Sequence, residues 1–161
     1  MTALHRFMRL PADERRAAIE AVITLAIVCA LMPILPFRLL ARGIGTVEAD
    51  DGRAPPPMPT LALEEIPASR EVRAARQVGR ALDRASRRLP WHTSCLARAL
   101  TGHRMLRRRN LPSTLRLGVF SDAAGLAAHA WLMSGGEPIC GTAEAAQFAP
   151  IAKFVRRVSG S

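Results

Sequence analysis

The stretch SCLARALTGHRMLRRRNLPSTLRLGV, residues 94–119, predicts a helix that is followed directly by a strand. Thr93 or Ser94 would cap the helix at its N-terminus, and Asn110 tolerates the left-handed conformation that ends a helix before a Leu-Pro pair. Beyond Pro112, apolar residues alternate with polar or small ones over residues 113–120, which is the pattern of a half-buried strand. The chain therefore changes from helical to β structure near Pro112.

The residues after this strand predict an antiparallel partner for it. The segment LAAHAWLM, residues 126–133, has the composition of a second strand. Ser134, Gly135 and Gly136 predict a hairpin turn from it into EPIC, residues 137–140. We therefore expect an α+β fold, in which the helix that begins near Ser94 packs on a small antiparallel sheet.

Another helix is predicted upstream, between Pro67 and Pro90. Ser69 is its expected N-cap, and its apolar residues recur at helical spacing along one face. Arginines at intervals of three and four residues share another broad face. We call these five residues the arginine stripe: Arg73, Arg76, Arg80, Arg84 and Arg87.

Residues 1–50 form an apolar region that we expect to be helical. No residue is charged over residues 21–37, a run of 17 that reaches the lower limit for a membrane span. Pro33 and Pro36 would break its last turns, so we expect a helix that packs on the protein or lies on a membrane surface, with a true span as the alternative. Residues 51–60, DGRAPPPMPT, would be a proline-rich linker, and residues 61–161 the second domain.

Positive charge is concentrated in residues 70–109, which hold twelve arginines against Glu71 and Asp83. The whole chain carries a formal net charge of +10. This surplus indicates an acidic partner or, alternatively, a solvated helix surface. Trp91 is the only aromatic residue in the segment, so we expect no nucleic-acid partner. The three cysteines are widely spaced and do not form a disulfide framework, so we expect the protein in the reducing cytoplasm. If the first helix lies on a membrane surface, the protein would be membrane-associated there.

Cys95 stands at the start of the predicted helix, where backbone N–H groups and the helix dipole favour a thiolate. In a cysteine hydrolase the thiolate attacks a carbonyl, a histidine moves the proton, and N–H groups bind the oxyanion. His129 is the natural partner because it lies on a separate element, and Trp131 would shield the pair from water. From the residues alone, a buried cysteine and a satisfied core histidine remain the alternative.

The quoted stretch, followed by AHAWL at residues 128–132, resembles the B protein of lasso-peptide biosynthesis. That family is a transglutaminase-like cysteine protease that removes the leader from a precursor peptide. The likeness also takes in the apolar first helix and the arginine-rich helix, so it covers most of the chain. It implies a papain-like or transglutaminase-like core preceded by the apolar helical region.

The resemblance implies that Cys95 is the nucleophile and that His129 is the general base and then the acid. The family's third residue is an aspartate beyond the histidine, at a position that Gly141 occupies here. Glu144 is our candidate for that third role. Other carboxylates within reach in the sequence are Glu137 and Asp122. A backbone carbonyl or a water can also hold the tautomer of the imidazole.

The resemblance further implies partners. We expect the split type of the family, in which a separate leader-binding protein delivers the precursor peptide and a lasso cyclase closes the ring. Arg73, Arg76, Arg80 and Trp131 are the residues expected to bind substrate or partner. Processing in the family is ATP-dependent, but the sequence has no phosphate-binding glycine loop, so no cofactor is evident and no prediction is made about nucleotide binding.

Two other classes remain alternatives. A metal site could draw on two cysteines and three histidines, but no C-x-x-C or H-x-x-x-H pair anchors one, so we predict no metal. These residues are Cys95, Cys140, His92, His103 and His129. A non-catalytic, membrane-associated basic module would instead use the arginines of residues 70–109 to bind phosphates or anionic lipid, with the first helix at the membrane.

Overall fold

The computed structural model describes residues 7–36, 39, 44–48, 69–123 and 125–158. Over these residues the helices are α1 (Ala12–Leu31), α2 (Arg70–Ser86) and α3 (Cys95–Arg108). The strands are β1 (Thr46–Glu48), β2 (Ser113–Asp122), β3 (Gly125–Ser134), β4 (Glu137–Cys140) and β5 (Ala149–Arg156), with a short 3₁₀ helix, Ala145–Gln147, before β5. The α+β prediction is confirmed, and the predicted linker over residues 51–60 lies outside the described residues.

Both predicted serine caps are present. The Ser69 Oγ accepts a hydrogen bond from the Val72 N–H at 3.2 Å, and the Ser94 Oγ accepts one from the Ala97 N–H at 3.1 Å. Each bond satisfies a donor that the first turn of a helix would leave unpaired. The second cap fixes the start of α3 at Cys95.

The C-terminus of α3 is closed by Asn110, as predicted, although the helix itself ends at Arg108. Asn110 has a φ of 52°, in the left-handed region. The N–H of Leu111 donates to the Leu106 carbonyl at 3.0 Å, and that of Asn110 donates to the Arg107 carbonyl at 3.0 Å. This pair of bonds is a Schellman motif, which turns the chain sharply into β2.

The sheet has the strand order β1-β5-β2-β3-β4, with every neighbouring pair antiparallel. Strands β2, β3 and β4 follow the prediction, whereas β1 and β5 were not predicted. Strand β5 lies inside the sheet despite Lys153 and Arg156, because Lys153 pairs with Glu48 of β1 at 3.5 Å and Arg156 donates to the Leu111 carbonyl at 2.8 Å. Because these charged residues find their partners in distant segments, the local sequence pattern does not indicate a strand at this position.

Helix α1 packs on α2 and α3 and shares their core. Ala21, Leu25 and Val28 are buried in the same cluster as Leu82 of α2 and Leu106 of α3. The opposite side of α1 is apolar too: Ile19, Ile23 and Ile27 are exposed. Among the described residues, none of the helices has the length and apolar character needed to cross a membrane. The contacts of α1 with α2 and α3 agree with the prediction that this helix packs on the protein.

Candidate active site

Cys95 and His129 line one cavity of about 80 Å³. Cys95 is the first residue of α3, and His129 lies in the middle of β3, which packs under that helix. The cavity is completed by Arg98, Ala130, Cys140, Gly141 and Glu144. The fold thus brings together the two residues that the sequence predicted as nucleophile and base, although they lie 34 positions apart in the chain.

The imidazole of His129 is oriented by a backbone carbonyl. Its Nε2 lies 2.7 Å from the carbonyl oxygen of Gly141. Because a carbonyl only accepts hydrogen bonds, Nε2 carries the proton and donates it there. The other nitrogen, Nδ1, is then the one left with a lone pair to take a proton. Gly141 occupies the position where the resemblance implied an aspartate, and its carbonyl supplies the orienting bond.

Glu144 stands near the imidazole without hydrogen-bonding to it. Its Oε2 is 3.9 Å from the His129 Nε2, and its side chain is 60% exposed. The ring is therefore held by the Gly141 carbonyl and not by Glu144. Of the alternative carboxylates, Glu137 pairs with Arg76, and Asp122 lies at the far end of β2, opposite Gly125.

Two aromatic rings lie against the imidazole of His129. The ring centroid of Trp131 is 6.1 Å away and that of Phe148 is 4.9 Å away, and both planes are nearly parallel to it. Trp131 is only 1% exposed, which fits the predicted shield but leaves almost no surface for its predicted contact with substrate. Phe148 was missed because it precedes a strand that periodicity did not reveal.

Gly118 makes room for these rings. It pairs with His129 across β2 and β3, at a register shift between β2 and β5. A Cβ at this position would come within 2.9 Å of both the Phe148 Cβ and the Trp131 Cζ3. Strand irregularities next to active sites commonly re-aim a side chain, and here the missing Cβ gives the histidine its aromatic neighbours.

Cys140 is the second thiol at the cavity and differs from Cys95 in burial. Burial raises the pKa of Cys140 to about 12, although the positive charge of Arg98 acts in the opposite direction. Cys140 therefore remains a neutral thiol at neutral pH, and it is a poor nucleophile. Cys95 is half-buried and starts a helix, so it is the better placed of the two thiols.

The other candidate ligands of the metal hypothesis do not join the cavity. His103 is buried, and its Nδ1 forms a hydrogen bond of 2.8 Å with the Ser113 Oγ, which ties α3 to the start of β2. His92 is exposed before α3. Across the described part of the chain, no group of three or more histidine, cysteine, aspartate or glutamate residues could hold a metal ion.

Most of the arginine stripe is engaged in ion pairs within the chain. Arg76 binds Glu137 through two bonds of 2.9 and 3.0 Å, and Arg84 binds Glu14 at 2.8 Å. Arg80 reaches the same Glu14 at 3.6 Å. Arg76 and Arg80 remain about half exposed, at 52% and 51%, so their ion pairs are open to solvent and to exchange with a partner.

Comparison with known proteins yields one match. The family model described as the transglutaminase-like superfamily matches residues 31–153 of the chain, a range that contains Cys95, His129 and Gly141. No curated protein and no solved structure matches the chain.

Proposed function

Because this chain belongs to the transglutaminase-like superfamily, we propose that it is a cysteine peptidase that removes the leader from a lasso-peptide precursor. The superfamily supports cysteine-protease-type chemistry. The narrower assignment is supported by the residues that resemble the lasso B protein, from the Ser-Cys-Leu helix start to His-Ala-Trp. The observation that carries the proposal is the shared cavity of Cys95 and His129, with the imidazole held by the Gly141 carbonyl.

The geometry suggests a division of labour between the two residues. His129 takes the thiol proton of Cys95 on Nδ1, and the sulfur then forms a bond to the carbonyl carbon of the scissile peptide. When the C–N bond breaks, the imidazolium gives that proton to the leaving amine nitrogen, which leaves a thioester on Cys95. The same imidazole then removes a proton from water, which hydrolyses the thioester and restores the thiol. Throughout, Nε2 keeps its proton on the Gly141 carbonyl.

The test is incubation of the purified chain with a candidate precursor peptide and its leader-binding protein, followed by mass spectrometry. We expect a single cut that separates leader from core. Cys95→Ala and His129→Ala should each lower the rate by about 10³-fold or more, because neither step proceeds without both groups. Cys29→Ala, which changes a cysteine of α1, should leave the rate unchanged. Cleavage that survives Cys95→Ala would exclude the assignment.

We further propose that the arginine stripe binds an acidic segment of the leader or of the leader-binding protein. Arg76→Gln and Arg80→Gln should raise KM and weaken its dependence on salt, with kcat little changed, because these exposed charges lie outside the cavity. The matched control is Glu137→Gln, which breaks the same intrachain pair but keeps Arg76. A rise in KM with both Arg76→Gln and Glu137→Gln would assign the effect to the ion pair and refute the docking role.

A further inference from the structure

Arg98 lines the cavity that holds Cys95 and His129. It follows Cys95 by three residues in α3, so both side chains lie on the same side of the helix. Long side chains in helices lean back toward the N-terminus, and this brings the guanidinium toward the first turn, where the nucleophile is. The side chain is 31% exposed, and the rest of it is covered by the protein.

The guanidinium is not saturated by the protein. Its Nε is buried and has no hydrogen-bond partner among the residues that the structure describes. Its Nη2 is 3.9 Å from the Asp83 Oδ1, which is beyond hydrogen-bond range. The other oxygen of Asp83, Oδ2, forms an ion pair with the Arg87 Nη2 at 3.1 Å. A buried donor without a partner costs about 1–3 kcal/mol, and an acceptor brought by a ligand would offset that cost.

The other groups around the cavity do not fill this need. Cys140 is a neutral thiol and a weak acceptor. The Glu144 carboxylate is mostly exposed and lies near His129. Ala130 and Gly141 add no side-chain acceptor. The cavity has a volume of about 80 Å³, which leaves room for a carbonyl group.

We infer that Arg98 is a catalytic residue that donates a hydrogen bond to the substrate's scissile carbonyl oxygen and stabilises the oxyanion formed there. This inference rests on the proposed function. As the Cys95 sulfur bonds to the carbonyl carbon, the C=O π electrons move onto oxygen, and the guanidinium meets that negative charge. When the tetrahedral intermediate collapses, the electrons return to re-form C=O, and the amine leaves with a proton from His129. A preorganised donor of this kind gains strength as charge develops.

Two small reagents separate this role from a general effect on Cys95. p-Nitrophenyl acetate acylates a cysteine through a tetrahedral oxyanion, whereas iodoacetamide alkylates it by displacement at carbon with no oxyanion. Neither requires the natural substrate to be known. We would measure both rates on the full chain, with Cys95→Ala as background, and follow the Cys95 peptide by mass spectrometry.

For Arg98→Gln, we expect acylation to fall by about 100-fold, the size of an oxyanion-donor loss, with alkylation within about twofold of the wild type. Arg98→Lys keeps the positive charge but loses the planar guanidinium, so its acylation rate should lie between those of the wild type and Arg98→Gln. Arg104→Gln is the matched control, because it removes an exposed arginine of the same helix that does not line the cavity. Asp83→Asn tests whether Arg98 acts only through that carboxylate, and it should change acylation by less than about threefold.

Three results would overturn the inference. These are equal losses of acylation and alkylation in Arg98→Gln, an unchanged acylation rate in that variant, and wild-type acylation no faster than the Cys95→Ala background. Thermal unfolding of each variant shows whether a lower acylation rate comes from misfolding. If Arg98→Gln misfolds, the acylation and alkylation rates of Arg98→Lys test the inference instead. Failure of the chain to cleave precursor peptides would instead count against the proposed peptidase and leave these two rates to decide the role of Arg98.

Discussion

Gly141 explains how the imidazole of His129 is held where the sequence offers no aspartate. Its φ is 72°, and a Cβ built there would lie 2.5 Å from the Ala130 carbonyl oxygen and 3.1 Å from the His129 Nε2. Any side chain at this position, aspartate included, would strike the strand and the imidazole. At this position a backbone carbonyl, and not a side-chain carboxylate, reaches the Nε2 of the imidazole.

Placing the expected aspartate at position 141 should consequently harm both the fold and the proposed activity. We expect both Gly141→Ala and Gly141→Asp to destabilise the fold by about 1–3 kcal/mol and to lower kcat, because the clash moves His129. Gly135→Ala is the control, since Gly135 has a φ of 55° with nothing within 4 Å of its added Cβ. Urea unfolding and cleavage rates give the answer, and Gly141→Asp with wild-type activity or better would contradict the account.

Residue patterns predicted Cys95 and His129 but not their surroundings. A nucleophile at a helix start and a histidine in a strand are side chains with a sequence signal. The Gly141 carbonyl has none, because every residue carries the same group. Arg98 was visible only as one of many arginines. That its Nε has no partner among the described residues depends on which neighbours pack around it.

At the scale of elements, local signals located α2, α3 and the β2–β3–β4 meander, because caps, apolar spacing and a glycine turn are all encoded within a few residues. Strands β1 and β5 have no such local signal. Their pairing joins residues 46–48 to residues 153–155, so it depends on the closure of a long stretch of chain. The pairing of β5 with β2, which sets Ala149 opposite Val119, is what brings Phe148 to the imidazole.

The contact between α1 and α3 depends on Glu20, which accepts hydrogen bonds from Arg109 at 2.7 Å and from Arg108 at 3.1 Å. Burial raises the pKa of Glu20, but the two arginines outweigh it, and the pKa lies below the ordinary 4.5. A lowered folded-state pKa means that this contribution to stability is present above about pH 4.5 and is lost as the pH falls through the folded-state value.

Glu20→Gln should therefore lower the free energy of unfolding by about 1 kcal/mol at neutral pH, with the difference from wild type shrinking as the solution is acidified. Urea titrations at about pH 7 and about pH 3 measure both values. Glu71→Gln, at an exposed carboxylate in the first turn of α2, is the control and should cost only a few tenths of a kcal/mol. A Glu20→Gln deficit of equal size at both pH values would rule out the ionised carboxylate as its cause.

For the whole molecule, the apolar first helix and the region that carries the site share one hydrophobic core. Composition predicted a boundary at residues 51–60, and that segment lies outside the described residues. Yet Leu25 of α1 is buried with Leu82 and Leu106, and β1 pairs with β5 at the other end of the chain. Composition reports what each segment contains, whereas the shared core depends on which segments meet. We expect α1 to support the cavity by holding α3 in place.

The most direct measurement of the central claim is the intact mass of the chain, quenched in acid during turnover of a precursor peptide with its leader-binding protein. Nucleophilic catalysis by Cys95 predicts a covalent adduct whose added mass equals that of the N-terminal cleavage fragment, as its free acid, minus one water. The adduct should be attached at Cys95 and released by hydroxylamine. The adduct should be absent from Cys95→Ala and much slower to form in His129→Ala. Peptide cleavage without an adduct at Cys95, or with cleavage retained in Cys95→Ala, would contradict the account.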